Sequence, residues 1–99
     1  MGKIVDITDK LSFDENPLIR IKGEDLEIQA SAENMLKIMG MFESGKTEIQ
    51  AAMEATDLIF NERDKKKIKK LELQIKDYMK LIQIAINTAM DLEEGQGEQ

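Results

Sequence analysis

From Asp64 onward the apolar positions Ile68, Leu71, Ile75, Tyr78, Ile82, Ala85, Ala89 and Leu92 step by threes and fours, with no Gly or Pro between them. Spacing of this kind is a helical seam, and it commits the last third of the chain to helix. The pattern favours one continuous helix, with Leu73-Gln74 the place where a break between a basic and an apolar segment would lie. A second stripe, Met79, Ile86 and Met90, widens the apolar surface of this segment. So short a chain has little left to cover both sides of such a helix. Ile68, Leu71, Ile75, Met79, Ile82, Ile86 and Met90 are therefore the expected protein-binding and self-association residues.

The preceding segments read as smaller elements. Residues 1 to 17 alternate weakly through Ile4, Val5 and Ile7 and end in Asp14-Glu15-Asn16-Pro17, as an arm or a short edge strand would. Leu18 to Lys22 and Leu26 to Ala30 are β-branched-rich runs around Gly23-Glu24-Asp25, a hairpin signal. Pairing Ile21 with Leu26 and Ile19 with Ile28 gathers the apolar residues on one face, sets Arg20 opposite Glu27 and leaves Gly23-Glu24 at the tip. Ser31 is an N-cap for a first helix over 32 to 43, with Met35, Ile38, Met39 and Phe42 on its apolar face and Ser44-Gly45 as its stop. Thr47 to Gln50 matches a capping box that opens a second helix, lined by Ile49, Met53, Thr56, Ile59 and Phe60 and ending near Asn61. The expected class is α+β, mostly α: a short N-terminal β-hairpin followed by a small bundle of three to four helices. One domain spans 18 to 92, with an acidic disordered tail over 93 to 99.

The chain's 99 residues include no histidine and no cysteine. That excludes a Ser-His-Asp or Cys-His nucleophile, a thiol redox pair and a Cys/His zinc site. No disulfide reinforces the small core, so helix packing or oligomerisation must do so. No enzyme activity, cofactor, metal or small-molecule substrate is expected. The net charge of −6 disfavours general adhesion to nucleic acid or anionic membrane. The longest apolar-rich stretch, Met79 to Ile86, falls well short of the ~20 residues a spanning helix needs. Met1 to Leu11 carries no signal-peptide core, and Asp6 stands where a myristoylation signal wants Ser or Thr. A cytoplasmic protein is expected.

Two motifs need weighing. Gly40-Met41-Phe42-Glu43-Ser44-Gly45-Lys46-Thr47 matches the phosphate-binding pattern G-x-x-x-x-G-K-[ST]. A working P-loop follows a buried strand, whereas residues 32 to 42 read as a helix, and Glu43 would set a carboxylate where phosphates must lie. The match is better read as a helix stop followed by a capped helix start. The block from Arg63 to Lys70 is locally cationic in an otherwise acidic chain. It has no aromatic residue for base stacking and reads as a solvated helix face ahead of a docking patch. Asp91 and Glu94 read as surface charges. Several of the chain's 7 methionines, Met35, Met39, Met53, Met79 and Met90, fall on apolar faces, where they fill gaps or let a surface re-pack.

The order of elements carries a resemblance. Leu18-Ile19-Arg20-Ile21-Lys22-Gly23-Glu24-Asp25-Leu26-Glu27-Ile28, then Ala30 to Lys37 (ASAENMLK) and an all-helical remainder, is similar to the small tail assembly chaperones of long-tailed bacteriophages and prophages. The resemblance spans residues 18 to 92 and rests on a pattern of elements more than on fixed residues. It implies a non-enzymatic protein that binds the tape-measure protein and tail-tube subunits before the tail polymerises. It also implies self-association, residence in the bacterial host cytoplasm, absence from the mature virion and separate last helices. The other classes weighed are a structural virion component of the head-tail connector type and a helical regulatory protein that self-associates along the seam.

Overall fold

The computed structural model of the chain describes residues 2 to 91. A two-stranded antiparallel hairpin, β1 (Leu18–Ile21) and β2 (Glu24–Glu27), precedes four helices, α1 (Ala32–Phe42), α2 (Glu48–Ile59), α3 (Glu62–Leu71) and α4 (Ile75–Ala89). This is the α+β, mostly α architecture expected. The tail expected over 93 to 99 lies outside the described residues. Residues 2 to 16 form an exposed arm whose only regular element is a 3₁₀ turn at Thr8–Lys10.

Local chemistry starts each of the first three helices. The Ser31 hydroxyl accepts from the Asn34 N–H, the Thr47 hydroxyl from the Gln50 N–H, and the Asn61 side chain from the Asp64 N–H. Each supplies one of the partners that a helix's first turn otherwise lacks. Gly45, at φ +89, turns the chain between α1 and α2 in a conformation that costs other residues more.

The hairpin forms in a different register from the one the apolar pattern suggests. Ile19 faces Leu26 and Arg20 faces Asp25, two residues away from the Ile19–Ile28 and Arg20–Glu27 pairings. The turn is Lys22-Gly23, with φ of +49 and +81, so the tip lies one residue earlier than the expected Gly23-Glu24. Positive φ at both central positions belongs to the turn whose twist matches that of paired strands. Arg20 then binds Asp25 through two hydrogen bonds, 2.7 and 3.2 Å. That guanidinium holds the Asp25 carboxyl below its ordinary range. Because the displacement is by two, Ile19, Ile21, Leu26 and Ile28 still share the inner face.

The long C-terminal helix is interrupted. Glu72 takes a left-handed conformation, φ 51 and ψ 51, and α4 starts afresh at Ile75. No glycine announces this break because a glutamate adopts the strained backbone itself. Glu72→Gly is accordingly expected to raise stability by roughly 0.5 to 1 kcal/mol, read as an increase in the urea midpoint at unchanged slope.

The core gathers Leu26 from β2 and Ile28 just after it, Met35 and Ile38 from α1, Ala52, Ala55 and Ile59 from α2, and Leu81, Ile82 and Ala85 from α4, with Phe60 and Ile68 between them. Helix α2 buries Ala51, Ala52 and Ala55 instead of Ile49 and Met53, which are 50% and 59% exposed. Small side chains on that face let α1 and α4 approach the α2 backbone closely, which large ones there would prevent. At the α2–α4 contact the Thr56 hydroxyl donates to the Ala52 carbonyl at 2.8 Å and also meets the Tyr78 hydroxyl. With its one proton committed to Ala52, Thr56 must accept from Tyr78.

Candidate functional site

The block from Arg63 to Lys70 first reveals its purpose through its one carboxylate. Asp64 is fully buried. Its Oδ2 accepts the Glu27 N–H at 2.8 Å, while Arg63 Nε and Lys67 Nζ approach Oδ1 at 3.4 and 3.6 Å. Lys67 also donates to the Asp25 carbonyl at 3.1 Å and lies 3.6 Å from Glu24. Lys65 binds Glu62 and Asp57 at 2.9 and 3.2 Å, and those hydrogen bonds raise its pKa. Much of the cationic block is thus spent on holding α3 against β2 and α2. Lys66, Lys69 and Lys70 remain exposed on the solvated face.

The nucleotide-like motif takes the helix-turn-helix form expected of it. Gly40 lies inside α1, Gly45 is in the turn, Lys46 is ion-paired with Glu54 and Thr47 caps α2. Glu48 occupies the first turn of α2, where a phosphate would otherwise find free N–H groups. Calorimetric titration with ATP or GTP and Mg²⁺ is expected to show no specific heat. A micromolar dissociation constant lost in Lys46→Ala would overturn this reading.

The structure disperses the seam residues. Ile68 and Ile82 belong to the chain's own core, and Met79, Ile86 and Met90 are half-buried at its edge. Leu71 is half-buried, whereas Ile75 is 56% exposed. The single continuous helix that the seam favours is corrected: the turn at Glu72 separates α3 from α4, and Ile68 and Ile82 pack into the chain's own core.

Part of the set does converge on one groove. Met79, Ile82 and Ile86 from α4, with Phe42 from the end of α1 and Ala52 from α2, line an open cavity of about 440 Å³. Its rim carries Lys76, Lys80, Gln83 and Asn87 from α4 and Glu48 from α2. Neither Lys76 nor Lys80 takes part in an ion pair among the described residues. Apolar floor and cationic edge together suit a helix with an apolar stripe and acidic flanks. The sequence spacing sets Phe42 on the apolar face of α1 and does not single out the rim residues. The signal was present, since 76, 80, 83 and 87 follow the same threes and fours as the apolar positions beside them. Ile68 and Ile75 line a second cleft, of about 550 Å³, with Met53, Leu73 and Tyr78. Leu71 and Met90 line neither.

Among the described residues no helix is long and apolar enough to cross a membrane. No protein-family model, no curated protein and no solved structure matches this chain.

Proposed function

We propose that the protein is a non-enzymatic tail assembly chaperone of a long-tailed bacteriophage or prophage, acting in the host cytoplasm on the tape-measure protein and tail-tube subunits. The observation that carries this reading is the groove of Phe42, Met79, Ile82 and Ile86 edged by Lys76 and Lys80. It joins the resemblance of residues 18 to 92 to that family. A tape-measure chain is long and rich in apolar helix, and before the tail forms those apolar stripes have nothing to pack against. A small acidic protein that seats one such stripe in a groove keeps it from others like it, and the net charge of −6 keeps the complexes apart.

Co-expression with the tape-measure protein of the same genome tests the proposal. A soluble complex is expected, and Ile86→Glu is expected to abolish it while circular dichroism of the chaperone stays unchanged. A tape-measure protein that precipitates equally with and without this chain would overturn the reading. Mass spectrometry of purified particles separates it from the connector alternative, since a chaperone is absent from the virion and a connector is retained.

A further inference from the structure

The two edges of the hairpin are unequal. In a hairpin closed by a two-residue turn, Ile21 and Glu24 exchange backbone hydrogen bonds, so Ile19 and Leu26 also point inward. The Ile28 N–H donating to the Pro17 carbonyl at 2.9 Å fits the same alternation. Asp25 and Glu27 then point their backbone groups away from β1, and α3 meets them: Asp64 accepts the Glu27 N–H and Lys67 donates to the Asp25 carbonyl. On the other edge, Leu18 and Arg20 present their N–H and carbonyl groups with no partner among the described residues. Ile19 and Ile21 beside them are only half-buried. An open edge of this kind is a template for another strand.

The arm has the complementary deficiency. Ile4 and Val5 are 90% and 68% exposed, and residues 3 to 6 make no backbone–backbone hydrogen bond. The β-branched residues Ile4, Val5 and Ile7 suit a pleated strand. Set antiparallel to β1 with Asp6 opposite Arg20, the arm places Val5 beside Ile21 and Ile7 beside Ile19 on the inner face. Asp6, whose Oδ1 accepts from the Thr8 N–H and hydroxyl and whose Oδ2 is left for Arg20, then joins Arg20 and Asp25 in one cross-strand row on the outer face. In this register Asp6 turns its backbone toward β1 while the Ile7 carbonyl turns away, and that carbonyl is taken by Lys10 in the 3₁₀ turn; Thr8, whose N–H and carbonyl are bonded to Asp6 and Leu11, ends the added strand.

We infer that the arm of one copy adds as a third strand to the β1 edge of a second copy, reciprocally. Within one chain the arm leaves this edge unpaired, since the sheet has two strands, β1 and β2. Asn16, where the arm joins the hairpin, is held toward β2, donating to Glu27 at 2.9 Å and accepting from the Ala30 N–H at 3.3 Å. The molecule is extended: its radius of gyration is 15.9 Å and its long axis 58 Å. A compact domain of this length has a radius of about 13 Å. This inference does not depend on the chaperone reading or on the groove.

The absence of native cysteine makes the test direct. Val5→Cys and Ile21→Cys are made as separate variants of the full chain, mixed and oxidised. A disulfide-linked dimer containing one chain of each kind is expected, along with a wild-type dimer in sedimentation. Asp6→Pro, which removes both the carboxylate and the N–H from a residue outside the core, is expected to weaken that dimer at least about tenfold. A wild-type monomer at high micromolar concentration would overturn the inference. So would a crosslink formed only within the Val5→Cys/Ile21→Cys double variant, which assigns the edge to the chain's own arm. A dimer indifferent to Asp6→Pro would do the same by placing the interface elsewhere.

Discussion

Replacing Asp64 by alanine is expected to cost about 2 to 3 kcal/mol, one of the largest losses from any single substitution of a charged residue in this chain. The carboxylate is fully buried, and its removal deprives the Glu27 N–H of its partner and Arg63 and Lys67 of their shared anion. A hydrogen bond to a charged group contributes about 1.5 to 3 kcal/mol, and a buried donor left unsatisfied costs its full desolvation. The upper range for breaking a buried pair, about 3 to 5 kcal/mol, does not apply because Arg63 is largely exposed and can rehydrate. For a domain of this size the loss corresponds to a fall of roughly 10 to 20 °C in Tm. The check is thermal unfolding followed by circular dichroism, with Asp64→Asn alongside. Asparagine keeps an acceptor for Glu27, so a smaller loss for it is expected. Equal losses in the two variants would mean that charge, and not the strand contact, is what Asp64 supplies.

Ile82 and Ile75 belong to the same apolar seam in the sequence, yet their truncations are expected to differ several-fold. Ile82 is 2% exposed within the core, and Ile82→Ala is expected to cost about 3 kcal/mol through lost burial and the cavity left behind. Ile75 is 56% exposed at the start of α4, and Ile75→Ala should lie within about 0.5 kcal/mol of the wild type. Chemical denaturation of the two variants, compared at equal slope, measures the difference. Comparable losses would require a partner surface over Ile75 that a single chain does not supply. An aspartate at position 82 would therefore unfold the monomer, and the separable test of groove binding falls to Ile86.

These contrasts separate what the amino-acid pattern alone makes legible from what packing decides. Ser31 and Thr47 could be read as caps because a cap is decided by one side chain and a backbone N–H three residues on. The inner face of the hairpin was equally readable, since alternation survives any even displacement. The register was not, because the choice between Glu27 and Asp25 opposite Arg20 rests on turn twist and ion-pair geometry that leave no trace in the apolar pattern. The break at Glu72 lacked a glycine or proline to reveal it. Helix α2 misled for another reason: Ala51, Ala52 and Ala55 rank low in hydrophobicity, yet small size decides which face a neighbouring backbone can approach. Asp64 was hidden by the cations around it, whose pull on a carboxylate depends on burial that composition does not record. The groove was half visible through Met79, Ile82 and Ile86, while the contribution of Phe42 arises from the angle at which α1 meets α4.

The bond from Glu27 to Asp64 and that from Lys67 to Asp25 join residues 37 and 42 positions apart. During synthesis, at about 5 to 20 residues per second, the hairpin leaves the ribosome roughly 2 to 8 seconds before the side chains that complete its outer edge. For that interval both strands are open to solvent, and two nascent chains on one message would meet with four unoccupied edges between them. The hairpin on its own is too short to persist as a stable unit. Its amides are then expected to exchange with the opening of α3 and not with local fraying of the turn, so that the first β-structure made is among the last to be secured.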